Sequence, residues 1–167
     1  AATTLAFGAA PHSLGKDHPE GIVAGVHANY HFLYPPGNRW PLNAQFVKKF
    51  HDRWKEYPNF EAEGAYTALH MLRVAIEKAN QLIGGWPDDQ AIIAMLEGLM
   101  YPAPSGYNYI RPDNHQGYKD AITGFALQTK DYEFPVHDPK RVITIPIRNI
   151  TAPPGYPKGE PTTTYKW

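Results

Sequence analysis

The run from Asn43 to Ala79 constrains this chain more than any other feature, because it carries two amphipathic helical patterns separated by a short Tyr57-Pro58-Asn59 break. In the first, Asn43–Glu56, Phe46, Val47, Phe50 and Trp54 fall on one stripe, while Lys48, Lys49, Asp52 and Arg53 fall away from it. Asn43 is placed to cap that helix, since its side-chain oxygen can accept from an early free backbone N–H. The second pattern runs from Glu61 to Leu82, with Ala65, Leu69, Leu72 and Ile76 as the expected buried stripe and Gly84-Gly85 as its stop. A third helix is expected after Pro87, where Asp88 and Asp89 complement the helix dipole and Ile92, Ile93, Leu96 and Leu99 supply the apolar face.

Around these helices the pattern is β-like. Thr3–Phe7 reads as a short strand ending in a turn at Gly8 to Pro11, and Gly21–Val26 as a second strand. The latter is apolar nearly throughout, which suits a parallel sheet covered on both faces. Tyr107–Arg111, Ala121–Thr129 and Arg141–Ile150 are further strand candidates, and Pro146 confines the last to an edge. From Thr151 the chain is rich in Pro, Gly and Thr and is expected to be extended.

Charge and composition remove several function classes. The 16 basic and 16 acidic residues cancel, so the basic excess of a general nucleic-acid binder is absent. There is no cysteine, which excludes disulfide and thiolate chemistry. No apolar run approaches the length needed to span a bilayer. The sequence starts at Ala1, which fits either a processed chain or one that begins partway through a larger protein. No Gly-rich phosphate loop is present, and neither serine, Ser13 or Ser105, sits in a nucleophile elbow. His27 and His31 are four apart, as zinc ligands on a helix can be, but the surrounding sequence reads strand-to-loop. No residue is therefore assigned a catalytic or metal-binding role, and no cofactor is expected.

Several strings, taken in order, carry a resemblance. Strand Gly21–Val26, the Phe-Val-Lys-Lys-Phe helix, Ala65-Tyr66-Thr67-Ala68-Leu69 and Ala75-Ile76-Glu77-Lys78-Ala79 are similar to the late part of type I periplasmic solute-binding proteins of ABC importers. The branched-chain amino-acid receptor type is the closest class. The string Tyr109-Ile110-Arg111-Pro112-Asp113-Asn114-His115-Gln116, then Gly124-Phe125-Ala126-Leu127, resembles the same family's return segment.

The resemblance implies an α/β fold of two lobes joined by three crossing segments, with three-layer α/β/α lobes and ligand bound between them. Members are longer than this chain, which would hold only the C-terminal portion. Residues 1–28 would end the second lobe, 29–106 would return to the first lobe, 107–140 would pass back to the second, and 141–167 would be an extended tail. The fold would be incomplete without an N-terminal segment, because strand edges and helix faces would lack their partners. The expected partners are that N-terminal remainder, as a separate chain or cleaved fragment, a small-molecule ligand and a membrane permease. A periplasmic or otherwise extracytoplasmic location follows from the same likeness.

By that resemblance the start of the Glu61 helix borders the interlobe cleft, which makes Glu61, Phe60 and Glu63 ligand-binding candidates. A carboxylate there suits a ligand ammonium or hydroxyl; as plain helix residues, both glutamates simply complement the dipole. His12 is a further candidate, in the loop after the first strand, where open α/β sheets bind ligands. Tyr30 is a candidate near a crossing. Aromatic walls with a few polar groups suit an amino acid, a carboxylate or an aromatic compound. The alternatives are a ligand-sensing regulator of the same fold, a metal-dependent enzyme using His and Glu residues, and a self-contained interaction domain.

Overall fold

In the computed structural model the described residues are 10–26, 40–149, 151 and 153, with side chains undescribed at 24–26. The expected strand Thr3–Phe7, the His27/His31 pair and the candidate Tyr30 lie outside them.

Among the described residues four α-helices form: α1 (Ala10–Leu14), α2 (Pro41–Trp54), α3 (Phe60–Ile83) and α4 (Asp89–Leu96). α2 starts two residues earlier than its apolar pattern suggested. Pro41 occupies the first turn, where a fixed φ is preorganised for helix and a missing N–H costs nothing. Trp40, not Asn43, therefore precedes the helix, and Asn43 is buried inside it. α3 is capped by Asn59, whose Oδ1 accepts from the Ala62 N–H at 3.0 Å. It ends at Gly84 with φ +77°, a conformation that favours glycine. α4 is capped in the same way by Asp88.

Among the described residues six strands make two sheets. β1 (Val23–Val26), β5 (Ala121–Leu127) and β6 (Val136–Ile145) form one, in the order β1-β5-β6. β2 (Met100–Ala103), β3 (Gly106–Ile110) and β4 (Gly117–Tyr118) form the other, in sequence order. Every pairing among the described residues is antiparallel. The parallel neighbours expected for the Gly21–Val26 strand are replaced by β5, with Val23 opposite Phe125. An apolar run reports cover on both faces, not strand direction, so the pattern was silent on this point.

β6 starts at Val136, earlier than the Arg141 expected, and stops just before Pro146. It is an edge strand of its sheet, where a proline that cannot donate is tolerated. At its junction with β5 the register shifts between Gly124 and Ala126. A Cβ on Gly124 would sit 2.9 Å from the Arg141 carbonyl oxygen, so glycine permits the close approach at the irregularity. β3 pairs with β2 and β4 with β3, so the second sheet continues to Tyr118.

The largest departure from the sequence pattern is on α3. Its buried positions are Glu63, Thr67, Met71, Ala75 and Ala79, a stripe of small and polar residues spaced by four. The aliphatic stripe faces out instead: Leu69 is 67% exposed and Leu72 41%. Hydrophobicity alone assigns the greasier face to the core, and here that face lacks its cover among the described residues.

Candidate ligand-binding cleft

A cleft of about 610 Å³ lies where the turn between α2 and α3 meets α1 and the segment before β6. Its walls are aromatic. His12 of α1 stacks on Phe134 with ring centroids 4.1 Å apart. Tyr57, in the break between the helices, meets Tyr132 edge-on at 5.3 Å and Phe134 at 5.6 Å. His51 of α2 backs Tyr57 at 4.5 Å. Such edge-to-face arrangements stabilise the cluster beyond its buried area and leave flat ring faces as apolar wall.

The local backbone explains why these groups converge. α2 closes on Lys55 in the left-handed region, φ 60°, which turns the chain so that Glu56 and Tyr57 enter the cleft. On the opposite wall, Lys16 Nζ donates to the Thr129 and Tyr132 carbonyls at 2.8 and 2.5 Å. Gln128 Nε2 donates to the His18 and Gly15 carbonyls at 2.9 and 3.1 Å. These bonds fasten α1 and the turn behind it to the end of β5, which fixes His12 against Phe134.

The polar groups divide by charge. Burial holds the His12 imidazole below its ordinary value of 6.5, against the opposing pull of the Glu56 and Glu61 carboxylates. Burial also raises the Tyr132 phenol, helped by Tyr57 and Asp131, so it stays a neutral donor near pH 7. Lys55, Glu56, Asp131 and Glu133 complete the rim. The cleft can therefore hold a flat or aliphatic body between rings and meet polar substituents at its edge.

Of the residues singled out in the sequence, His12 lines this cleft. Glu61 is exposed on the first turn of α3, near enough for its charge to act on His12, and Phe60 is half-buried beside it. Glu63 points the other way. It is fully buried, and its Oε1 accepts from Thr67 Oγ1 at 2.7 Å and Ser105 Oγ at 2.8 Å. Its Oε2 accepts from Lys119 Nζ at 3.0 Å. Sharing the first turn of α3 with Glu61 is not enough; two residues along a helix turns a side chain well away from its neighbour's direction.

The sequence reading missed Tyr57, Tyr132 and Phe134. The first was treated only as part of a helix break, and the other two lie in a segment without periodicity. What they share is being aromatic, a property of composition that carries no position. Among the described residues there is no group of three or more metal-ligating side chains. Nor is any helix among them long and apolar enough to cross a membrane.

Comparison with known proteins gives this geometry its family. A branched-chain amino-acid ABC transporter structure from Rhodopseudomonas palustris CGA009 is 22% identical; the match covers 83% of this chain and 34% of that one, with a TM-score of 0.65. A closed leucine-, isoleucine-, valine-, threonine- and alanine-binding protein from Brucella ovis is 15% identical, covering 92% of this chain and 38% of that one at a TM-score of 0.64. A solute-binding protein from Rhodopseudomonas palustris BisB5, solved with 3,4-dihydroxybenzoic acid, is 19% identical, covering 78% and 33% at a TM-score of 0.59. The chain thus spans about a third of the length of the structures it matches. No curated protein sequence matches it. The family of periplasmic binding proteins matches over residues 1–129, most of the chain, and this protein belongs to that family.

Proposed function

We propose that the chain is the C-terminal portion of an extracytoplasmic solute-binding protein that delivers a small organic solute to an ABC importer. The observation that carries this reading is the aromatic cleft between the α2–α3 turn and the segment before β6. Its rings suit a planar or aliphatic body, and Glu61 and the Tyr132 phenol suit an ammonium or hydroxyl substituent. Solved neighbours with a bound dihydroxybenzoic acid and a bound hydroxybenzoic acid support aromatic carboxylates as candidates, and the Brucella ovis protein supports aliphatic amino acids. Binding, not turnover, is the role, in keeping with the matched family and with solved neighbours that are solute- or substrate-binding proteins.

In this reading the exposed aliphatic face of α3 is covered by the N-terminal remainder of the same protein. Leu69, Leu72 and Ile83 on the helix, with Trp86 just beyond it at 82% exposed, are large apolar side chains that such a cover would bury. Solute closes the two lobes by binding the closed form better, and the closed form docks on a permease.

The test is calorimetric titration of the full-length protein with aliphatic amino acids and with hydroxybenzoates, comparing wild type with Glu61→Ala. Loss of one charged hydrogen-bonding group is worth about 1.5–3 kcal/mol, so affinity should fall roughly 10- to 100-fold. Unchanged affinity removes Glu61 from the site, and no binding by either solute class removes those ligands.

A further inference from the structure

The buried glutamate that the cleft does not use sits at the one place where the described chain passes directly between its two sheets. β4 ends at Tyr118 in the second sheet and β5 begins at Ala121 in the first, so Lys119 and Asp120 are the whole connection. These neighbours are held in opposite directions. Lys119 Nζ reaches Glu63 Oε2 at 3.0 Å and Ser105 Oγ at 3.1 Å, binding the connection to α3 and to the β2–β3 turn. Its side chain is 15% exposed and that of Glu63 is 0% exposed, so this ion pair is shielded from water. Asp120 Oδ1 instead accepts from the Ile147 N–H at 2.8 Å, the first residue of the turn that follows β6.

The chain also reaches this point from its other side. Trp40, just before α2, donates its indole N–H to the Ala103 carbonyl at 2.6 Å and packs against Tyr107. Trp40, Ser105, Lys119, Asp120 and Ile147 all border one cavity of about 280 Å³. Four separate stretches of chain therefore meet around a small void, and a charged pair with low water access pins one of them.

We infer that Lys119, held by Glu63 and Ser105, is the positioning residue of this connection in the hinge: it makes the connection part of the helical half and places its bending at Asp120–Ala121, beside Pro146–Ile147. The inference rests on the two-lobe reading above, but it concerns these residues and not the ligand cleft. A shielded ion pair must hold a narrow geometry to offset the cost of desolvating its two charges. The pair therefore sets the range of lobe angles sampled without solute, and with it the fraction of protein competent to close. The void beside it gives the pivot room to turn.

The experiment is single-molecule energy transfer in the full-length protein without solute, with dyes at the exposed positions 48 in α2 and 140 in β6. Wild type is compared with Lys119→Met and with Glu63→Gln/Lys119→Met, and melting temperatures are measured alongside. Lys119→Met leaves a buried carboxylate uncompensated, so its melting temperature should fall; the double variant removes both charges and should regain most of it. Both variants should give a transfer-efficiency distribution about twice as wide as that of wild type, the excess width marking lost positioning, because stability alone would not move the regained double variant. A folded double variant with the wild-type distribution overturns the inference, and serves if the single variant does not fold. Since no solute is used, failure to find a ligand leaves this outcome readable.

Discussion

At the scale of single residues, the cleft depends on what burial does to polar groups. His12 has its pKa lowered because its ring is desolvated against Phe134, more than Glu56 and Glu61 restore it. An imidazole that resists protonation when folded but accepts a proton readily when unfolded withdraws stability on acidification. The loss starts as pH falls through 6.5, the ordinary value, and saturates below the lowered folded value. Thermal melts of the full-length protein between about pH 8 and about pH 5 should show wild type losing more melting temperature than His12→Asn, which lacks that titration. Equal losses would mean His12 is not desolvated in solution. Sequence position singled out His12, which lines the cleft, and Glu61, on the exposed first turn of α3. Glu63, two residues further on, turns inward to meet Thr67, Ser105 and Lys119. Those donors come from distant segments, and no local pattern announces such a meeting.

At the scale of elements, helices were easier to read than strands. α2 and α3 have apolar periodicity and, in α3, a capping asparagine and a terminal glycine. The β2 strand was obscured by Pro102 and by Pro104 next to it, and it forms because Met100–Ala103 pairs with Gly106–Tyr109 across a tight turn. What sequence could not assign is which face of α3 turns inward, since Ala75 and Ala79 are apolar too and their smallness allows close approach. The outer stripe then gives a sharp test. If the rest of the protein covers Leu69, Leu69→Ala should cost the full-length protein about 2–5 kcal/mol in chemical denaturation. A residue that stays as exposed as it is here would change stability by no more than about 0.5 kcal/mol, and that result would contradict the proposed cover.

At the scale of the whole molecule, the described residues make two half-built layers around one shared junction. One holds α1 with the β1-β5-β6 sheet, the other α2 to α4 with the β2-β3-β4 sheet. Helices and sheets with bare apolar faces require further layers to bury them. The match to about a third of each solved neighbour agrees with that requirement. The most direct measurement is a native mass spectrum of the intact particle isolated from its own cells. A mass well above the 18.8 kDa of this chain, carrying one small solute released on mild activation, is the expected result. A stable, solute-free particle of 18.8 kDa would contradict both the two-lobe assembly and the captured ligand.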